Sequence, residues 1–269
     1  MGEFSLRESY DWFVNSQAKS NIGTVADYLS ALKRWRFPPD GDLSAPSESQ
    51  WYSGWRRIVL KVVPGHFVDP VRVRITRVLM ATRRHRRLQI PVDGLALHLA
   101  CGEHYVDGWL NIDLVGSRAD MVWDLRKPLP VKQGTVRAIF HEHFIEHLPL
   151  ADAVQMLSDC HGLLRPGGVL RIGVPDFQRH LRSYVESDGF LEQIRPGRPS
   201  PLFALNELIY SYGHTSLWDP DTFRIVLNEI GFAEVQVKEF GQSVLAPAPD
   251  LLDRQFGTLY IEAIKTVVA

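Results

Sequence analysis

Residues 140–150 read FHEHFIEHLPL, with three histidines and two glutamates among eleven positions. Side chains of these two types transfer protons or ligate metals. His143, Glu146 and His147 spell H-x-x-E-H, an order that serves a zinc hydrolase when one helix points both histidines the same way. Here the apolar run TVRAIF leads directly into His141. His141 and His143 are therefore expected on a strand end and the turn after it, which speaks against zinc. Two further groups share this chemistry: Asp176, after the apolar run VLRIGV, and His214, inside the aromatic stretch SYGHTSLW. A hydroxyl is a poor nucleophile near neutral pH and needs a base, and an imidazole titrating near 6.5 is suited to that task. His143 and His214 are the candidate bases. Asp176 is the group to orient the base or to hold a magnesium ion, which prefers oxygen ligands.

A second set of residues has the chemistry of a nucleoside site. Gly102 ends the run LALHLACG, where the missing side chain lets backbone approach a ligand. Asp113 closes WLNIDL, and a carboxylate there can accept both hydroxyls of a ribose. Asp124 and Leu125 close MVWDL and offer an acceptor and an apolar edge to an adenine.

The elements that must position these groups alternate from residue 91 onward. GLALHL, WLNIDL, MVWDL, TVRAIF and VLRIGV read as short buried strands. ADAVQMLSDCHGLL is an amphipathic helix stopped by RPGG. A later helix is opened by Asp219-Pro220 and closed by Gly231, followed by the strands AEVQVKEF and TLYIEAIKT. This pattern predicts an α/β fold, a doubly wound and mostly parallel sheet whose ligands bind beyond the carboxyl ends of the strands. Residues 1–90 form an N-terminal helical cap or arm, with a helix to about residue 35 and a loop over RFPPDGDLSAPSESQ. Four of the seven tryptophans fall in the first 55 residues, and seven arginines lie between 72 and 87. The aromatics read as packing and the arginines as a solvated helix face.

Composition limits the classes further. The chain has 269 residues, 45% hydrophobic and 23% charged, with 30 basic residues against 31 acidic ones. It can bury a sizeable core and carries no global field to attract nucleic acid. No stretch reaches the roughly 18 apolar residues of a membrane span. The N-terminus lacks the look of a signal peptide, and two cysteines, Cys101 and Cys160, make no disulfide framework. A cytoplasmic protein is expected, and a homodimer is compatible with the sequence.

Taken in order, L-x-L-x-C-G (Leu97 to Gly102), G-W-x-N-x-D (Gly108 to Asp113), E-H-x-x-E-H (Glu142 to His147), L-x-P-G-G (Leu164 to Gly168) and V-P-D (Val174 to Asp176) resemble class I S-adenosylmethionine-dependent methyltransferases. The resemblance covers about residues 95 to 240 and is to a bacterial branch linked to polysaccharide O-methylation, with the mycobacterial methylmannose-polysaccharide enzymes one specific instance. It implies a Rossmann-like seven-stranded sheet over residues 91–269, with S-adenosylmethionine held by Cys101, Gly102, Asp113, Asp124, Leu125 and His141. His143 would face the acceptor, a sugar or oligosaccharide hydroxyl, and Glu146 and His147 would open the next helix as structural residues. The usual G-x-G-x-G is reduced to Cys-Gly-Glu, and Asp113 follows Gly102 by only eleven positions. A lipid or small aromatic acceptor, and a cofactor-binding partner subunit without turnover, are the rival readings.

Overall fold

Runs of apolar residues long enough to cross a sheet, and buried on both faces, mark the central strands of this chain. The computed structural model describes residues 65–81 and 94–266. The expected helix before residue 35, the loop after it and the arginines at 83, 84, 86 and 87 lie outside the described residues. Two compact units are formed. Of the described residues, one comprises 69–81, 94–176, 215–252 and 258–266; the other comprises 65–68, 177–214 and 253–257.

The first unit holds the sheet. Its strands are β1 (Leu95–Leu99), β2 (Leu110–Asp113), β3 (Met121–Val122), β4 (Val136–Glu142), β5 (Leu164–Pro175), β6 (Phe232–Lys238) and β7 (Thr258–Lys265). Their order is β3-β2-β1-β4-β5-β7-β6. Strands β1 to β5 pair in parallel, while β7 runs antiparallel to both β5 and β6. The expected doubly wound, mostly parallel seven-stranded sheet is therefore present.

Helix α1 (Gly65–Ala81) enters the first unit at residue 69. Helix α2 (Leu150–Leu163) connects β4 to β5, and α3 (Pro220–Ile230) precedes β6. Asp219 caps α3 by accepting from the Thr222 N–H at 2.8 Å, and Gly231 ends it in the left-handed region at φ 108°. One sheet face, with Leu97, Leu99, Ile139, Leu170, Ile172 and Ile261, packs against Ala153, Leu157 and Cys160 of α2 and Phe223 and Leu227 of α3.

Three details depart from the sequence reading. RPGG does not simply stop α2, because β5 already begins at Leu164. The register moves from Val136↔Leu164 to Ala138↔Val169, so the residues between bulge outward. Gly168 is required there, since a Cβ would sit 2.8 Å from the Arg165 carbonyl oxygen. β3 shrinks to two residues at the sheet edge. The arginine segment is only partly a solvated face: Arg74 and Arg77 are exposed, but Arg72 is buried, donating from Nε to the Val115 carbonyl at 2.8 Å.

The second unit contains Phe177–Glu186, Phe190–Ile194 and Pro201–Asn206 as helices, none of which the sequence pattern had marked. Leu191, Ile194, Ala204 and Leu205 form its own small core.

Candidate active site

After β1 the backbone turns twice through the left-handed region, at Ala100 (φ 54°) and Gly102 (φ 55°). The Cys101 N–H donates to Ile112 of β2 at 3.3 Å, and the Gly102 carbonyl accepts from the Arg118 N–H at 3.0 Å. These bonds hold the loop against the end of β2. Above Gly102 the space is open, with nothing within 4 Å of where a Cβ would be. Cys101 is buried, and burial together with the Asp113 charge raises its thiol pKa, so it is not a nucleophile.

Asp113 sits at the end of β2, as the sequence predicts. One carboxylate oxygen accepts the Gly102 N–H at 2.6 Å and the other accepts the Leu114 N–H. Arg72 of α1 stands 3.8 Å from the second oxygen. The carboxylate thus ties the β1 loop to β2. Asp124 follows β3 and is almost fully buried. Arg126 grips it with two bonds, at 2.9 and 3.1 Å, and Arg77 of α1 adds a third at 2.9 Å. Those guanidinium bonds outweigh the cost of burying the charge and hold the Asp124 carboxyl below its usual pKa. Leu125 beside it packs on the main core.

His141 lies inside β4, paired between Leu99 of β1 and Ile172 of β5. It is fully buried, and neither ring nitrogen has a hydrogen-bond partner among the described residues. Burial, with His98 nearby as a second cause, lowers its pKa to about 3, so the ring is neutral at physiological pH. An unsatisfied buried polar atom costs roughly 1–3 kcal/mol, a penalty that a bound ligand can relieve. Open space over Gly102 and the unsatisfied His141 ring are two local features of this edge of the sheet.

His143 follows two residues later, in a left-handed conformation (φ 50°) uncommon for a side chain of its size. Its N–H donates to the Gly173 carbonyl of β5 at 2.9 Å. Its ring nitrogen Nε2 lies 2.9 Å from the Thr258 hydroxyl, and Nδ1 lies 3.5 Å from a Glu146 carboxylate oxygen. Glu146 is buried in a single 3-10 turn, Ile145–His147. Its carbonyl accepts the Thr215 and Ser216 N–H groups at 2.8 and 3.1 Å, which fixes the turn. His141 belongs to a strand, His143 to a strained joint and His147 to a 3-10 turn, so H-x-x-E-H is not displayed on a helix face. The sequence reads Glu146 as structural; in the fold its carboxylate faces Nδ1 of His143.

Asp176 directly follows Pro175, whose Cα pairs with that of Thr258. Thr258 had no signal in the sequence: it reaches this edge only because β7 runs antiparallel. His214 belongs to the second unit, where its ring lies 5.8 Å from that of Tyr212.

The opposite sheet face is polar. Arg171 of β5 is fully buried, with Asp250 accepting from Nε at 2.9 Å and from Nη2 at 2.6 Å. The Gln242 carbonyl accepts from its Nη1 at 2.9 Å, and the Tyr260 hydroxyl donates to Glu142 at 2.6 Å. This network fastens residues 239–250 over β5 and β7.

The strand order β3-β2-β1-β4-β5-β7-β6 has one antiparallel strand, next to last. No family model and no curated protein matches the chain. Among solved structures, a SAM-dependent methyltransferase from Archaeoglobus fulgidus is 15% identical over 71% of this chain and 94% of that one, with a TM-score of 0.42. One from Thermotoga maritima is 14% identical over 67% and 86%, with a TM-score of 0.39. An O-methyltransferase family protein from Burkholderia thailandensis is 13% identical over 75% of this chain and 60% of that one, at 0.42. Nothing about an acceptor follows from likenesses this distant. Among the described residues, no helix is long and apolar enough to cross a membrane.

Proposed function

We propose that this chain is an S-adenosylmethionine-dependent O-methyltransferase whose acceptor is a hydroxyl of a sugar or oligosaccharide. One observation carries the reading: His143, in a strained conformation just past the central strand, has one ring nitrogen on a hydroxyl and the other facing a buried carboxylate. That is the arrangement of an oriented base, at the sheet edge where ligands of such folds bind. Gly102, Asp113 and His141 are the residues to hold the cofactor, with Asp124 and Leu125 flanking them. The carbohydrate nature of the acceptor rests on the sequence resemblance.

Bound S-adenosylmethionine supplies an electrophilic methyl carbon with a neutral thioether as leaving group. The chain has two remaining tasks, to aim the acceptor oxygen and to remove its proton. His143 does the second, and Asp176, beside the Thr258 end of β7, orients the base or holds a magnesium ion. The test is methyl transfer from labelled cofactor to mannose, glucose and rhamnose oligosaccharides, with and without chelator, for wild type and for His143→Ala, Asp176→Ala and His214→Ala. His143→Ala is expected to slow turnover about 10² to 10⁴-fold while leaving cofactor affinity by calorimetry nearly unchanged. Near-wild-type turnover in that variant overturns the assignment. Transfer only to phenols or lipids removes the sugar and leaves the methyltransferase.

A further inference from the structure

His143 cannot receive a proton directly from an acceptor as it stands, because the Thr258 hydroxyl occupies its Nε2 at 2.9 Å. Thr258 is itself partly open, the first residue of β7 and the register partner of Pro175. The antiparallel course of β7 therefore sets a hydroxyl between the imidazole and the carboxyl edge of the sheet. Behind the ring, the Glu146 carboxylate faces Nδ1 at 3.5 Å with its side chain only 3% exposed. That separation is an ion-pair distance, longer than a tight charge-assisted bond. The buried carboxylate nonetheless favours the tautomer with its proton on Nδ1, leaving Nε2 to accept from Thr258.

We propose that Thr258, His143 and Glu146 form a proton relay, in which Thr258 touches the acceptor, His143 stores the proton and Glu146 is a positioning residue. This rests on the O-methyltransferase reading above. In one turnover the acceptor oxygen forms a bond to the methyl carbon, and the carbon–sulfur bonding pair stays on sulfur. The acceptor O–H breaks and its proton goes to Thr258 Oγ1. The hydroxyl proton of Thr258 passes to His143 Nε2. The resulting imidazolium is stabilised by Glu146 and later loses its proton to water. Charge and protons balance without a further reactant.

Two measurements on the full chain test the relay. Nitrogen-15 spectra of histidine-labelled protein, with His143 assigned by its loss in His143→Ala, report the tautomer with no cofactor or acceptor present. The expected result is the Nδ1–H form in wild type and a shift toward Nε2–H in Glu146→Gln, a change that a merely structural glutamate would not produce. A wild-type ring protonated on Nε2, or an unchanged tautomer in Glu146→Gln, overturns the role of Glu146. Labelled-cofactor turnover on mannose oligosaccharides then compares Thr258→Val with Thr258→Ser. Valine keeps the shape and lacks the proton, and should cost about 10²-fold or more, whereas serine should recover rates within a few-fold of wild type. Equal rates in wild type and Thr258→Val, or a faster variant, show that the acceptor reaches His143 directly and overturn the relay. If no carbohydrate accepts methyl, the sugar reading fails alone, and the tautomer still decides the Glu146–His143 pair.

Discussion

Buried histidines make the stability of the sheet depend on pH, and His141 allows the dependence to be isolated. Burial lowers the His98 pKa to about 4, against a smaller opposing effect of its bond to Asn111, and lowers that of His141 to about 3. In the unfolded chain each ring would titrate near 6.5. Between those values the unfolded state binds protons that the folded state refuses, so stability falls as pH falls from about 6.5 toward 4. One such proton is worth about 1.4 kcal/mol per pH unit, so each ring would remove roughly 2.5 kcal/mol by pH 4.5. For both rings the loss is about 5 kcal/mol, a large share of a typical domain stability of about 5–15 kcal/mol. The carboxylates whose pKa values are lowered, Asp120, Asp124 and Asp219 among them, act in the same direction but at lower pH. The decisive assay is urea unfolding between pH 7.5 and 4.5 for wild type and His141→Phe, a variant that keeps a ring against Phe144 and has nothing to protonate. Contributions from all other groups cancel in the difference. The variant should gain on wild type by about 2.5 kcal/mol across that range. Parallel curves would show that His141 is either already charged in the fold or satisfied by a partner, and the reasoning would fail.

Two further substitutions probe the polar face of the sheet, both by urea unfolding at neutral pH. Arg171→Met strands the Asp250 and Glu262 carboxylates, the latter 3.6 Å from the guanidinium, and should cost about 3–5 kcal/mol, part of it recovered by adding Asp250→Asn. Gly173→Ala would drive a Cβ to 2.7 Å from the Glu142 side chain and 3.2 Å from Tyr260, and should cost about 1–3 kcal/mol.

How far the sequence carries depends on the range of the interactions involved. Strands β1, β4 and β5 are legible because a strand buried on both faces must be apolar along its length. Asp113 is legible because it terminates such a run, and α3 because its cap and stop residues are local. The 177–211 helices escape because two are a turn or so long, too short for periodicity to register. The direction of β7 is decided by which strand it pairs with, a contact between residues about ninety positions apart, and no local pattern records it. That one unreadable direction accounts for much of what the sequence hides. It carries Thr258 to the carboxyl edge, beside His143, where a parallel strand would have brought Lys265. It also sets Glu262 opposite Arg171 and Tyr260 opposite Gly173. In VLRIGV no local pattern tells what would meet the arginine, which β7 and residues 239–250 enclose. The chemistry of the candidate site is therefore half local and half topological. The imidazole and its carboxylate are three residues apart in one motif, and the hydroxyl that completes them arrives from the one strand that runs the other way.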